Sequence, residues 1–114
     1  MLDVKAVDKE FSEFLINNDG SMVLKNLDYL LRVNKLYEVR TIIFPNRDKE
    51  NKENVTYVAK HISDKCFYKI IRYRQFGVRE NNLDILGDYT TDEEYADKYL
   101  LLAKNLGAIK AYIV

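Results

Sequence analysis

Charged side chains interrupt stretches that otherwise read as β-strand. Asp3 and Lys5 break the run Leu2-Asp3-Val4-Lys5-Ala6-Val7, Arg40 sits inside Tyr37-Glu38-Val39-Arg40-Thr41-Ile42-Ile43-Phe44, and Arg72 and Arg74 close the run that starts at Cys66. Parallel strands covered on both faces normally read as near-continuous apolar runs, so these charges need a reason. Residues two apart on a strand share a face, about 7 Å from one another. Asp3 and Lys5 therefore project together while Leu2 and Val4 take the other side. Arg40 shares its face with Glu38 and Ile42, and Arg72 shares one with Arg74. One acid with several bases suits a zwitterionic or phosphorylated small molecule: Lys and Arg donate to carboxylate or phosphate, and Asp accepts from an amine or hydroxyl. Ligands of open α/β sheets dock at the carboxyl ends of strands, where such charges lie. The same spacing also describes end-of-strand charges at Asp3 and Lys5, a structural ion pair at Arg40 and rim charges at Arg72 and Arg74. Spacing does not choose between the two.

The elements that must carry these side chains follow from apolar periodicity. Leu2–Val7 alternates like a strand. Asp8–Asn17 has Phe11, Phe14 and Leu15 at helical spacing before the turn residues Asn17-Asn18-Asp19-Gly20. Ser21 is an expected N-cap for a helix with the stripe Val23, Leu24, Leu27, Leu30, Leu31 and Val33. Tyr37–Phe44 is rich in β-branched and aromatic residues and is stopped by Pro45-Asn46. Arg47–Glu53 is charged and apolar-free, which predicts a solvated loop running into a helix whose buried face begins at Val55 and continues through Val58, Ala59 and Ile62. Cys66–Tyr73 is a third strand, followed by a long loop of about 14 residues, a length more often functional than idle. Thr91-Asp92-Glu93-Glu94 reads as a capping box for a helix carrying Tyr95, Tyr99, Leu102, Ala103 and Leu106 until Gly107, and Ile109–Val114 is a last strand. Strand and helix alternate throughout, so the fold class is α/β with a mostly parallel sheet and right-handed crossovers.

Composition narrows the function. The 114 residues carry 18 Lys+Arg against 18 Asp+Glu, which removes the long-range positive field used in nonspecific binding of nucleic acid or membrane surfaces. A closed eight-stranded β/α barrel takes roughly 250 residues, so this length holds less than half of one. No apolar run approaches the ~18 residues of a membrane span, and no secretory leader is evident, so neither nucleic acid nor a membrane is an expected partner and the location is expected to be cytoplasmic. The single cysteine, Cys66, makes no internal disulfide and cannot alone ligate zinc or an iron–sulfur cluster. Paired with His61 it could suggest a nucleophile and base, but a buried thiol and an exposed helical histidine are the plainer expectation. Tyr95, Tyr99, Tyr37, Tyr68 and Tyr73 are expected to pack rather than to stack on bases.

A resemblance carries the reading further. Met1-Leu2-Asp3-Val4-Lys5, then Tyr37-Glu38-Val39-Arg40-Thr41-Ile42-Ile43-Phe44-Pro45, then Tyr68-Lys69-Ile70-Ile71-Arg72-Tyr73-Arg74-Gln75-Phe76-Gly77 resemble, in order and separation, the C-terminal half of the glycyl-radical-enzyme activases. These are radical S-adenosylmethionine (SAM) proteins related to the pyruvate formate-lyase activating enzyme. The resemblance spans nearly the whole chain and implies that residues 1–114 form a single domain, a partial β/α barrel segment of about three βα units and a C-terminal strand. It implies that Asp3, Lys5 and Arg40 contact SAM through its amino-acid portion and neighbouring polar groups. Arg74 falls at a loop position that approaches the nucleoside and that pyruvate formate-lyase activators tend to fill with histidine. Asn46 follows Pro45 where the family often has glycine.

The family cleaves SAM reductively to a 5′-deoxyadenosyl radical, which takes hydrogen from a backbone glycine of a partner glycyl radical enzyme. That chemistry uses a Cys-x3-Cys-x2-Cys loop, placed upstream in the family, whose thiolates hold a [4Fe-4S] cluster. The present sequence has no such loop. The chain is thus expected to bind SAM, to ligate no metal, and to be inactive alone. The alternative is a noncatalytic interaction module whose uncovered sheet edges pair with a second copy, as a homodimer, or with a separate cluster-bearing N-terminal half.

Overall fold

In the computed structural model, which describes residues 2–5, 7–10, 13, 20–73 and 91–114, strands and helices alternate as the periodicity predicts. The order is β1 (Leu2–Asp3), α1 (Ser21–Arg32), β2 (Glu38–Ile43), α2 (Asp48–Ile62), β3 (Phe67–Arg72), α3 (Glu93–Asn105) and β4 (Ala111–Ile113). Among the described residues the sheet is four-stranded, in the order β1-β2-β3-β4, and every pair is parallel. Spatial order equals chain order, and right-handed crossovers then leave the connecting helices on one face, as in a segment of a β/α barrel. α1 packs on β1, α2 on β2, and α3 on β3, β4 and α2.

The core lies between that face and the helices. Val4, Val39, Ile43, Tyr68, Ile70 and Ala111 look inward from the strands, against Val55, Val58, Ala59 and Ile62 of α2 and Ala96, Tyr99 and Ala103 of α3. Each buried valine or isoleucine contributes about 1.5–3 kcal/mol relative to exposure. α1 is less covered: Leu27 is fully buried, Val23, Leu24, Leu30 and Leu31 are half-buried, and Val33 lies exposed just past the helix end.

Several boundaries differ from the sequence expectation for identifiable reasons. α1 is preceded by Gly20 at φ 74°, with no side-chain cap, and Ser21 is its first residue. α2 begins at Asp48 rather than after a solvated loop, because Asn51 and Asn54 join its buried stripe. Asp48 and Glu50 in its first turn complement the helix dipole. The N-cap of α3 is Asp92, whose carboxylate accepts from the Glu94 N–H at 3.3 Å. Thr91 is drawn away from capping: its hydroxyl donates to the Ile43 carbonyl at 2.8 Å and its N–H to that of Tyr73 at 2.9 Å. After α2, Ser63 (φ 49°, ψ −125°) and Asp64 make a tight turn closed by the Lys65 N–H on the Ile62 carbonyl at 2.9 Å.

Candidate functional site

The face of the sheet away from the helices carries the unusual charges. Register aligns Asp3 with Arg40, Arg40 with Lys69, and Lys69 with Tyr112, so these four side chains form one row across all four strands. At the ~4.8 Å spacing of neighbouring strands the row is about 14 Å wide. Lys5 follows Asp3 on the same side, and the ladder continues beyond β1 through the Val4 N–H on the Arg40 carbonyl at 2.8 Å. Glu38 and Phe67 lie one row below, Ile42 and Ile71 one row above.

Arg40 and Glu38 meet on this face. The Arg40 Nε–H donates to Glu38 Oε2 at 2.9 Å, with the two side chains 31% and 12% exposed. The Tyr112 hydroxyl donates to the other oxygen, Glu38 Oε1. That bond is the main cause holding the Glu38 carboxyl below its usual range, with the Arg40 hydrogen bond and charge and the nearby Lys69 acting in the same sense against partial burial. The same bond raises the Tyr112 phenol.

Two asparagines one helical turn apart on α2 fix the strand ends that present these charges. Asn54, 1% exposed, accepts the Val7 N–H at 2.7 Å and donates to the Lys5 carbonyl at 3.2 Å, pinning the chain after β1. Asn51, fully buried, accepts the Phe44 N–H at 2.9 Å and donates to the Phe44 carbonyl at 2.8 Å, pinning the chain after β2. Its amide also reaches the Tyr95 hydroxyl at 3.2 Å. Tyr99 donates to Asp48, which pairs with Lys98 at 2.9 Å, so α3 is locked to the start of α2. Tyr99 and Lys98 hold the Asp48 carboxyl below its usual range, while burial and then Asp48 push the Tyr99 phenol up. Asn46 has φ 57°, a left-handed conformation that asparagine tolerates and glycine prefers, so it fills a glycine-type turn position after Pro45.

The expected residues thus divide. Asp3, Lys5 and Arg40 come together on one face. Arg72 does not join them, because it is in register with the core residue Ile43 and shares the helix-covered side with Tyr68 and Ile70. Arg74 and the loop after β3 lie outside the described residues. Lys69, Glu38 and Tyr112 were not expected as site residues; a lysine at the centre of an apolar strand was the available signal for Lys69. Cys66 is buried and its thiol is pushed up by that burial, whereas exposed His61 stacks on Tyr57, so they form no nucleophile–base pair. Tyr37 is exposed, its ring tilted against that of Phe67 at 5.4 Å, contrary to a packing role. A groove of about 640 Å³ between α2 and Val7, lined by Thr56, Tyr57 and Lys60 among others, lies away from the charged row.

Among the described residues no cluster of His, Cys, Asp and Glu could hold a metal ion, and no helix is long and apolar enough to cross a membrane. One cysteine does not fit the thiolate set of a [4Fe-4S] cluster.

Described helices on one side of an all-parallel sheet, with a charged row on the other, are the arrangement of a partial β/α fold. No protein-family model matches the sequence, and neither does any curated protein. Among solved structures the fold is similar to a domain of pyruvate-formate lyase-activating enzyme from Bacteroides vulgatus ATCC 8482, with a TM-score of 0.71 and 16% identity over 98% of this chain. The chain spans 64% of that chain's length. The likeness is one of fold.

Proposed function

We propose that this chain is the SAM-binding C-terminal part of an activase for a glycyl radical enzyme. The observation that carries the reading is the convergence of Asp3, Lys5 and Arg40 on the sheet face away from the described helices, Asp3 and Arg40 in direct register. The similarity of fold to a domain of a pyruvate-formate lyase-activating enzyme supports it. In this reading Arg40 and Lys5 donate to the carboxylate of SAM, Asp3 accepts from its ammonium group, and Arg74 stands near the nucleoside. Bound SAM supplies the activase with its hydrogen-abstracting adenosyl group on one-electron reduction. The chain's own residues bind and orient; the iron–sulfur ligands are not among its 114 residues, so the chain alone is inactive in SAM cleavage.

Isothermal calorimetry with SAM tests the assignment. A charge-assisted hydrogen bond contributes about 1.5–3 kcal/mol, so Lys5→Ala and Arg40→Ala should each weaken binding by roughly tenfold to a hundredfold. Unchanged affinity in both variants would sink the assignment.

A second reading is favoured by the sheet's edges. Among the described residues β1 and β4 are both edge strands, and an uncovered edge recruits another strand. In that reading the module pairs with a second copy or with a separate cluster-bearing half. Light scattering at a dimer mass would favour the first version; a stable monomer would count against it.

A further inference from the structure

Glu38 is out of place by ordinary strand chemistry: its side chain is only 12% exposed, in the first position of a central strand, on the face that carries the site. A carboxylate so placed needs partners, and it has one for each oxygen. Arg40 Nε–H binds Oε2 from the same strand, and the Tyr112 hydroxyl binds Oε1 from β4, two strands away. With both oxygens held, the carboxylate cannot rotate, and the guanidinium it holds is fixed in turn. The bond to Glu38 uses Nε, one of the five N–H donors of arginine, and leaves the terminal amino groups to meet a ligand.

We propose that Glu38, braced by Tyr112, is a positioning residue that orients the Arg40 guanidinium for an incoming carboxylate, and that the last strand belongs to the site through this contact. The inference rests on the reading of Arg40 as a SAM contact. Two effects of Glu38 oppose each other. Its charge lowers the attraction of Arg40, Lys69 and Lys5 for an anion, whereas its fixed geometry removes the rotamer freedom that Arg40 would otherwise lose on binding. The two-point hold makes orientation the larger effect. Neutralising Glu38 therefore weakens anion binding even though the face becomes more positive, which is the reverse of what a competing carboxylate would give.

The test uses Glu38→Gln, Tyr112→Phe and the double variant. In the free protein, the 1H–15N signal of the Arg40 Nε–H group should be protected from solvent exchange, lose that protection in Glu38→Gln, and exchange faster in Tyr112→Phe, where the carboxylate charge is retained. SAM affinity by calorimetry should fall about fivefold to tenfold in Glu38→Gln and by a lesser factor in Tyr112→Phe. The double variant should match Glu38→Gln to within about twofold, since Tyr112 acts through Glu38. Equal or tighter SAM binding by Glu38→Gln, or an Arg40 signal indifferent to both substitutions, overturns the proposal. If Glu38→Gln fails to fold, Tyr112→Phe decides alone, and unaltered Arg40 exchange there overturns it. Failure of the unsubstituted protein to bind SAM would instead refute the reading of the site, and the Arg40 signal would then judge the clamp.

Discussion

Replacing Asn51 by alanine isolates the hold that α2 exerts on the end of β2. Asn51 is fully buried, and both ends of its amide are spent on the main chain of Phe44, itself 4% exposed. Alanine removes both of these bonds from the buried main chain of Phe44. A buried hydrogen bond that loses one partner costs about 1–3 kcal/mol, so the pair amounts to about 3 kcal/mol if each lies near the lower middle of that range. The bond to the Tyr95 hydroxyl is lost as well, and the small cavity left behind acts in the same direction. A domain near 100 residues loses roughly 4–8 °C of melting temperature per kcal/mol, so the expected fall is about 15 °C. Far-UV circular dichroism melts, with two-state behaviour checked by a second probe, give the number. A fall under about 5 °C would refute the reasoning, because it would mean that water or a relaxed turn satisfies Phe44 and that the buried asparagine is not what holds the strand end.

Three further outcomes follow from the same geometry. Ser63→Gly should raise the urea midpoint by an amount equivalent to about 1 kcal/mol, because Ser63 sits at φ 49°, ψ −125°, where glycine is unstrained; a lower midpoint would contradict the strain. Glu38 has a folded-state pKa below its ordinary 4.5, so its contribution is complete above that pH and disappears as pH falls through the lower folded value. Melting temperature between about pH 6 and pH 2.5 should therefore drop less steeply in Glu38→Gln than in the unsubstituted protein, and a steeper drop would reverse the sign. Cys66 is buried with its thiol pushed up from 9.0, so thiol reagents at about pH 8 should label it only as fast as the protein unfolds, and rapid labelling of the folded state would contradict its burial.

The strands were legible because their β-branched runs are short and bounded, and alternation alone assigns Asp3 with Lys5 and Glu38 with Arg40 to common faces. Which face of β3 matches that of β2 was not legible. Phe67-Tyr68-Lys69-Ile70-Ile71 has bulky residues on both sides, and only the register with Ile43 sends Arg72 to the helix side and Lys69 to the site. The asparagines of α2 were missed for a related reason. Apolar periodicity scores Asn51 and Asn54 as solvated, yet their partners are backbone groups at strand ends, which no pattern along the helix reveals. Thr91 is similar: its local sequence fits a capping box, and a carbonyl on a distant strand outcompetes that role. Tyr112 was invisible as a site residue because its contact with Glu38 spans 74 positions in sequence.

In the proposed reading the sheet face away from the described helices is the ligand face and SAM is its ligand. Titrating the isotopically labelled protein with SAM while following backbone and arginine side-chain signals tests it directly. The shifts should concentrate at Asp3, Lys5, Arg40 and Lys69, and in Arg40→Ala they should need roughly tenfold to a hundredfold more SAM to saturate. Shifts centred instead on the groove between Val7 and α2, at Tyr57 and His61, or none at saturating SAM, would contradict that reading.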